Sequence, residues 1–229
     1  MARAKYFELT DVTKFAFPSV VGMDAAQTAA NLIERLGGGG FMSYGMIWPR
    51  MNIIIGGRAS PQYVEDQFSP YEDDWKNVSI QEVVNLLSQH FDGRGNWYPF
   101  PMRPKKVLGF WFKPSIKGIW YVDGKAYAVL INARKGQPLF PEHRRFLARG
   151  IYELHSRDDP NDPIPLVIDV SEPSKGEGRV LRAYTMPVEQ AISLQEFDDA
   201  LRTFLMALLL AGVPIPADGI DNIIDLFKK

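Results

Sequence analysis

A short apolar run in the C-terminal half carries side chains suited to metal-assisted phosphodiester cleavage. The run spans 166–170 and presents Asp169 near its end, and Glu172 and Lys175 follow soon after. Carboxylates are the ligands that Mg²⁺ prefers, and a neighbouring lysine activates the attacking water. Asp169, Glu172 and Lys175 are therefore the candidate catalytic residues of a metal-dependent nuclease or phosphoesterase. Mg²⁺ is implied under that hypothesis alone, and the sequence indicates no other cofactor.

This segment resembles the PD-(D/E)xK nucleases, in which an acidic residue on a strand is followed by an acid-x-Lys triplet. The resemblance implies metal-dependent nuclease activity. The spacing departs from the family pattern, because Lys175 lies three positions after Glu172 and Pro173 lies between them. His90, His143 and His155 lack metal-ligand spacing, and the chain has no cysteine, which excludes disulfides, thiolate metal sites and a cysteine nucleophile. Whether the chain is an enzyme stays open.

The strongest feature is a basic sector, defined here as residues 94–149. It holds twelve Lys or Arg residues against two acids, a net charge of +10, whereas the whole chain carries −1. A surface of that charge binds a polyanion or docks an acidic partner. The leading hypothesis is a polyanion-binding protein, with nucleic acid as the favoured ligand. The predicted binding residues are Arg94, Trp97, Tyr98, Arg103, Lys105, Lys106, Lys113, Lys117, Arg134, Lys135, Arg144, Arg145 and Arg149.

Two details of the basic sector bear on that hypothesis. Pro141 suits the first position of a helix, where Leu147, Ile151 and Leu154 share one face and Arg145 and Arg149 share the opposite one. Free amides, the helix dipole and arginine side chains near its start favour anion binding. Against a single basic patch, the predicted hairpin places Lys125 at its turn, whereas Lys117, Arg134 and Lys135 fall at the far end.

The pattern of elements predicts an α+β fold with a central, largely antiparallel sheet flanked by several helices. Asp123-Gly124 is a strong hairpin signal that pairs Trp120 with Tyr127, and the strand after it is apolar on both faces and so central. Strands are also predicted over 41–48 and 51–55. Capping boxes at Ser79 and Ser193 predict the starts of two helices.

The glycine- and proline-rich stretch 92–104 is the best candidate boundary. It divides the chain into an N-terminal α/β subdomain, 1–95, and a basic hairpin and helical subdomain, 96–229. The alternative is one continuous domain. Residues 1–10 do not resemble a secretory signal, and the longest apolar run, 204–211, is too short to cross a bilayer. We therefore expect a soluble, cytoplasmic protein with no membrane partner.

An assembly module is the second functional hypothesis. The basic sector, or an acidic surface formed by Glu72, Asp73 and Asp74, docks a partner subunit, or the chain associates with itself. The apolar C-terminal helices, including one predicted over 220–227, carry the contact.

Overall fold

A computed structural model describes residues 8–17, 20, 22–36, 44–70, 74–100, 105–107, 110–112, 116–174 and 176–212. The helices are α1 Leu9–Ala16, α2 Ala25–Leu36, α3 Met51–Ile55, α4 Pro61–Gln67, α5 Asp74–Phe91, α6 Pro141–Ile151 and α7 Leu194–Leu210. The strands are β1 Asn96–Pro99, β2 Lys105–Val107, β3 Phe110–Phe112, β4 Ile116–Val122, β5 Lys125–Asn132, β6 Ile164–Asp169 and β7 Arg182–Thr185. Within these residues, no helix is both long and apolar enough to span a membrane.

The centre of the fold is a five-stranded sheet in the order β1-β4-β5-β6-β7. β5 and β6 run parallel, and the other neighbouring strands pair antiparallel. Strands β2 and β3 form a separate two-stranded ladder. The predicted α+β class, with a largely antiparallel central sheet flanked by helices, is confirmed.

The β4–β5 hairpin turns at Asp123-Gly124, as predicted. Both residues have positive φ, 49° and 72°, the backbone that a tight two-residue hairpin turn requires. Trp120 lies opposite Tyr127, with ring centroids 5.7 Å apart. β5 lies between β4 and β6, so its two apolar faces both meet protein.

Each face of the sheet is covered by its own hydrophobic cluster. Ala128 and Leu130 of β5 pack with α1, α2, α6 and α7 on one face, and Val129 and Ile131 pack with α3, α4 and α5 on the other. The result is a three-layer arrangement of helix, sheet and helix. Both clusters contain residues from each side of position 95, and the subdomain boundary proposed there stays a prediction.

Two sequence-based assignments in the N-terminal half are wrong. The predicted strand over 51–55 is helix α3, preceded by a 3-10 turn at Trp48–Arg50. Met51, Ile54 and Ile55 are all buried, and this helical spacing packs α3 against α5. The other assignment over 41–48 lies partly outside the described residues, and 44–47 form a turn.

The predicted capping box at Ser79 is also wrong, because α5 begins earlier, at Asp74. Ser79 lies within the helix, and its hydroxyl accepts a hydrogen bond from the guanidinium of Arg179 at 2.8 Å. A tertiary contact therefore uses the group that the local pattern assigns to a cap. The capping box at Ser193 is confirmed, with Ser193 and Glu196 exchanging both bonds at the start of α7.

The connection from β5 through α6 to β6 positions the candidate site. Because β5 and β6 are parallel, their carboxyl ends lie side by side, and Asn132 pairs with Asp169 there. Antiparallel pairing brings the start of β4 to the same end of the sheet. The loop over 133–140 leaves β5 at this end and leads into α6 at Pro141.

Candidate functional site

Three neighbouring cavities border the end of β5 and the loop after it. They have volumes of about 510, 590 and 110 Å³. Arg134 is common to the two larger cavities, and Gly136 and Gln137 are common to the second and third. The carboxyl ends of parallel strands are where α/β sheets commonly bind ligands. We call the two larger cavities together the β5 cleft, and the smallest one the α1 pocket.

The first cavity of the β5 cleft places a lysine on an aromatic wall. Lys117, at the start of β4, has its ammonium 5.2 Å from the centre of the Trp48 ring. The same ammonium is 3.9 Å from a carboxylate oxygen of Glu8, which precedes α1. The Lys117 side chain is only 15% exposed and is one of the residues that line the cavity.

The second cavity combines a large exposed ring with a further lysine. Trp75, on the first turn of α5, is 63% exposed although it is the bulkiest side-chain type. Lys135 lines the same cavity, and its ammonium lies 3.1 Å from a carboxylate oxygen of Glu172. Tyr44 lines both cavities of the cleft and so joins their walls.

Arg134 lies between the two cavities and ties the loop after β5 to α1. One terminal nitrogen donates to the Thr10 carbonyl at 3.2 Å, and the other forms a short ion pair with Asp11. Arg134 is partly exposed and lines both cavities.

A buried arginine behind the cleft wall holds Tyr44 in place. The Arg179 side chain is 1% exposed and donates to the carbonyls of Ala133 and Val170 at 2.8 and 2.7 Å. Its other terminal nitrogen donates to the Tyr44 hydroxyl and to Ser79, and its Nε lies 3.4 Å from a Glu82 carboxylate oxygen. Sequence analysis missed this residue, because a lone arginine in a polar loop has no local signal of burial.

The three arginines of α6 lie elsewhere and contact protein groups. Arg144 stacks over Tyr184 of β7 at 4.0 Å. Arg145 and Arg149 donate to backbone carbonyls of the 190–192 segment at 3.4 and 2.7 Å, and Arg149 also pairs with Glu153 at 3.1 Å. The predicted apolar face of this helix, with Leu147, Ile151 and Leu154, is buried. The helix therefore uses its arginines to hold the segment before α7.

Other predicted binding residues lie away from the β5 cleft. Arg94 precedes β1 at the opposite end of the sheet, near the hairpin turn that carries Lys125, and Lys105 pairs with Asp158 at 3.3 Å. The split of the cations between two ends of the hairpin is thus the arrangement in the structure. Arg103 and Lys113, and the side chain of Lys106, lie outside the described residues, as do Glu72, Asp73, the side chain of Asp74 and the predicted helix over 220–227.

Trp97 and Tyr98, the two rings predicted for stacking, differ in exposure. Trp97 is 5% exposed and lies against Gly118, so its ring has no free face for a base. Tyr98 is 56% exposed and meets Tyr121 edge-on. Trp75 is an exposed ring that shares a cavity with cations, and it comes from a segment that the sequence analysis did not select.

The candidate catalytic residues have structural contacts. Asp169 is fully buried, and its carboxylate accepts from the Asn132 side chain at 2.9 Å and the Leu139 amide at 3.1 Å, with Arg182 at 3.4 Å. Glu172 pairs with Lys135, and Lys175 lies outside the described residues. Among the residues that the structure describes, no cluster of His, Asp or Glu side chains has the arrangement to hold a metal ion.

Comparison with known proteins gives no family. No protein-family model matches the chain, and no curated protein matches it. One solved structure that aligns with it carries the description "Putative exonuclease" and comes from Eubacterium rectale. The two share 9% sequence identity over 96% of this chain and 87% of that chain, with a TM-score of 0.42. A likeness at that level carries no argument about function.

Proposed function

We propose that the chain binds single-stranded nucleic acid in the β5 cleft. The observation that supports this function is the convergence of Lys117, Arg134 and Lys135 with aromatic side chains, Trp75 the most exposed, in adjoining cavities. Proteins that bind single strands combine cations that follow the backbone with rings on which bases stack. Only part of the basic sector takes this role, and the arginines of α6 are not required for it.

Trp75 is the principal stacking residue in this proposal. Its ring is 63% exposed in a cavity that is open enough to admit a base. Stacking one base on an aromatic side chain contributes about 1–3 kcal/mol, whichever base it is. Trp48 and Tyr44 extend the aromatic wall, and Arg179 fixes the Tyr44 hydroxyl so that little side-chain freedom is lost on binding.

The carboxylates that pair with the cleft cations do not prevent phosphate binding. Partly exposed ion pairs contribute only about 0–1 kcal/mol, so exchanging a carboxylate for a phosphate has a small cost. The Lys117–Glu8 pair is already long, at 3.9 Å, and Lys135 is 52% exposed beside Glu172. Phosphates that displace these carboxylates release counterions, and binding therefore weakens steeply with added salt.

The test is fluorescence anisotropy with labelled single strands of DNA and RNA of about 16 nucleotides. Three phosphate contacts predict that log K falls with log salt with a slope of about −2. A duplex of the same length is the comparison, and we expect weaker binding to it because its bases are not free to stack. No binding of either single strand at about 50 mM salt would rule the function out.

Matched variants locate the interface. Lys135→Ala removes a cleft cation, and Lys125→Ala removes an exposed lysine at the opposite end of the hairpin. We expect Lys135→Ala to reduce the magnitude of the salt slope by the amount that one phosphate contact contributes. Lys125→Ala should leave the slope unchanged. Trp75→Ala should weaken binding about fivefold or more, and Tyr98→Ala, outside the cleft, should not. Equal effects within each pair would place the interface elsewhere.

A further inference from the structure

The α1 pocket, of about 110 Å³, is lined by polar side chains that the proposed strand-binding surface does not use. Thr13 and Lys14 come from α1, Gln137 from the loop after β5, and Phe140 and His143 from the start of α6. The pocket adjoins both cavities of the β5 cleft, because it shares Thr10 and Asn132 with one and Gly136 and Gln137 with the other. A strand in the cleft would therefore lie beside residues that also line this pocket.

His143 contributes a buried polar atom with no partner. The residue is 4% exposed, and its Nε2 makes no hydrogen bond within the described part of the chain. Burial lowers the pKa of His143 to about 4, so the ring is neutral near pH 7. A buried polar group without a partner is costly, and a bound water, ion or ligand is one way in which native proteins satisfy it.

Two further groups in the pocket are free to bind a ligand. The half-buried side-chain amide of Gln137 has no hydrogen bond to any residue that the structure describes, and it offers both a donor and an acceptor. The ammonium of Lys14 has no ion-pair partner among the same residues, unlike the three cations of the β5 cleft. Phe140, 41% exposed, lies with its ring 5.5 Å from that of His143 and at 79° to it.

We infer that the α1 pocket takes one nucleobase, read by Gln137 and His143, with its phosphate against Lys14. An amide and a neutral imidazole each offer a donor and an acceptor and so match the hydrogen-bonding edge of a planar heterocycle, whereas an anion, which only accepts, would leave the carbonyl oxygen of Gln137 unused. Phe140 supplies an aromatic surface for the ring. This inference rests on the proposed function and adds base selectivity to it, because stacking in the cleft accepts any base.

The experiment follows the histidine side-chain NMR signals while nucleoside monophosphates of each base are added, with inorganic phosphate added separately. We expect one base to shift the His143 signal saturably, and phosphate not to shift it. Gln137→Ala and His143→Leu should each weaken that nucleotide about tenfold, the effect of losing one well-placed hydrogen bond. Gln195→Ala, an exposed glutamine at the start of α7, is the matched control. Gln137 is only half-buried, so its variant tests the pocket even if His143→Leu does not fold.

Binding of homopolymer strands separates this inference from the function on which it rests. In the wild type we expect a preference for the base that the monophosphates identify, and in Gln137→Ala a preference reduced about tenfold with the salt slope unchanged. Strands that bind without any base preference, while no monophosphate shifts His143, would overturn the pocket and leave the proposed function standing. Monophosphates that bind while strands do not would support the pocket and remove strand binding. A shift caused equally by inorganic phosphate would also overturn the nucleobase assignment.

Discussion

Replacing Asp169 with alanine should destabilise the fold rather than remove a catalytic group. The buried carboxylate accepts from the Asn132 amide at 2.9 Å and the Leu139 backbone amide at 3.1 Å, and lies 3.4 Å from the Arg182 guanidinium. Hydrogen bonds to a charged group contribute about 1.5–3 kcal/mol each, and removing one partner of a buried ion pair costs about 3–5 kcal/mol. Arg182 is 31% exposed, so water can solvate its guanidinium once the carboxylate of Asp169 is removed, and this lowers the cost. We expect the free energy of unfolding to fall by about 3 kcal/mol.

Urea unfolding followed by tryptophan fluorescence measures that loss, which should lower the midpoint by about 1 M or more. The urea midpoint of Asp169→Asn, which keeps one acceptor oxygen, should lie between those of Asp169→Ala and the wild type. The control is Asp158→Ala, because Asp158 is also ion-paired, to Lys105 at 3.3 Å, but is 74% exposed. Asp158→Ala should lower the free energy of unfolding by less than about 1 kcal/mol. If Asp169→Ala costs no more than this control, the buried contacts of the carboxylate do not stabilise the fold and the reasoning is wrong.

Two further predictions concern burial. The pKa of His143 and of His155 is lowered to about 4 by burial, so each folded imidazole stays neutral while the unfolded chain gains a proton. The free energy of unfolding should therefore fall as the pH drops from about 6.5 towards 4, by up to about 3 kcal/mol for each histidine. Replacing either histidine with glutamine should make the urea midpoint depend less on pH over this range. A Cβ added at Gly118 would lie 2.3 Å from the Trp97 ring, so Gly118→Ala should cost about 1–3 kcal/mol in urea unfolding. Gly136→Ala, which meets no atom within 4 Å, should leave stability near that of the wild type.

The elements predicted correctly are those whose signal lies within a few residues. Asp123-Gly124 determines the hairpin because only residues that tolerate positive φ fit its turn, and the register of β4 and β5 follows from that turn. Pro141 begins α6 and Ser193 caps α7 for similarly local reasons. Each of these signals is local in the sequence, and the packing of the fold agrees with it.

The errors arise where packing decides between two local possibilities. A short apolar run such as 51–55 is compatible with a strand or a helix, and burial of Met51, Ile54 and Ile55 against α5 selects the helix. Ser79 has the pattern of a cap, but the buried guanidinium of Arg179 needs acceptors and takes its hydroxyl. The cost of leaving that buried charge without partners exceeds the contribution of a cap, which is about 1 kcal/mol.

The candidate site was beyond sequence analysis because its walls come from distant segments. Trp48, Trp75 and Lys135 are separated by tens of residues, and no periodic pattern connects them. They become neighbours because α5 packs across one face of the sheet while the loop after β5 leaves at the same end. The sequence analysis selected the three cations that line the cleft, whereas the two rings that it selected, Trp97 and Tyr98, do not line it.

Part of the basic sector is paired with carboxylates from other segments of the chain. A net charge of −1 means that the chain holds as many carboxylates as it needs to neutralise the sector, and composition cannot distinguish segregated charges from paired ones. The fold pairs several, with Glu8, Asp11 and Glu172 brought to the cations at the end of β5. Any phosphate that binds in the cleft must therefore displace a carboxylate that shares its site. The repelled carboxylates remain nearby, so we expect affinity to rise when Glu8 or Glu172 is replaced by glutamine, and to rise most at low salt, where the repulsion is least screened.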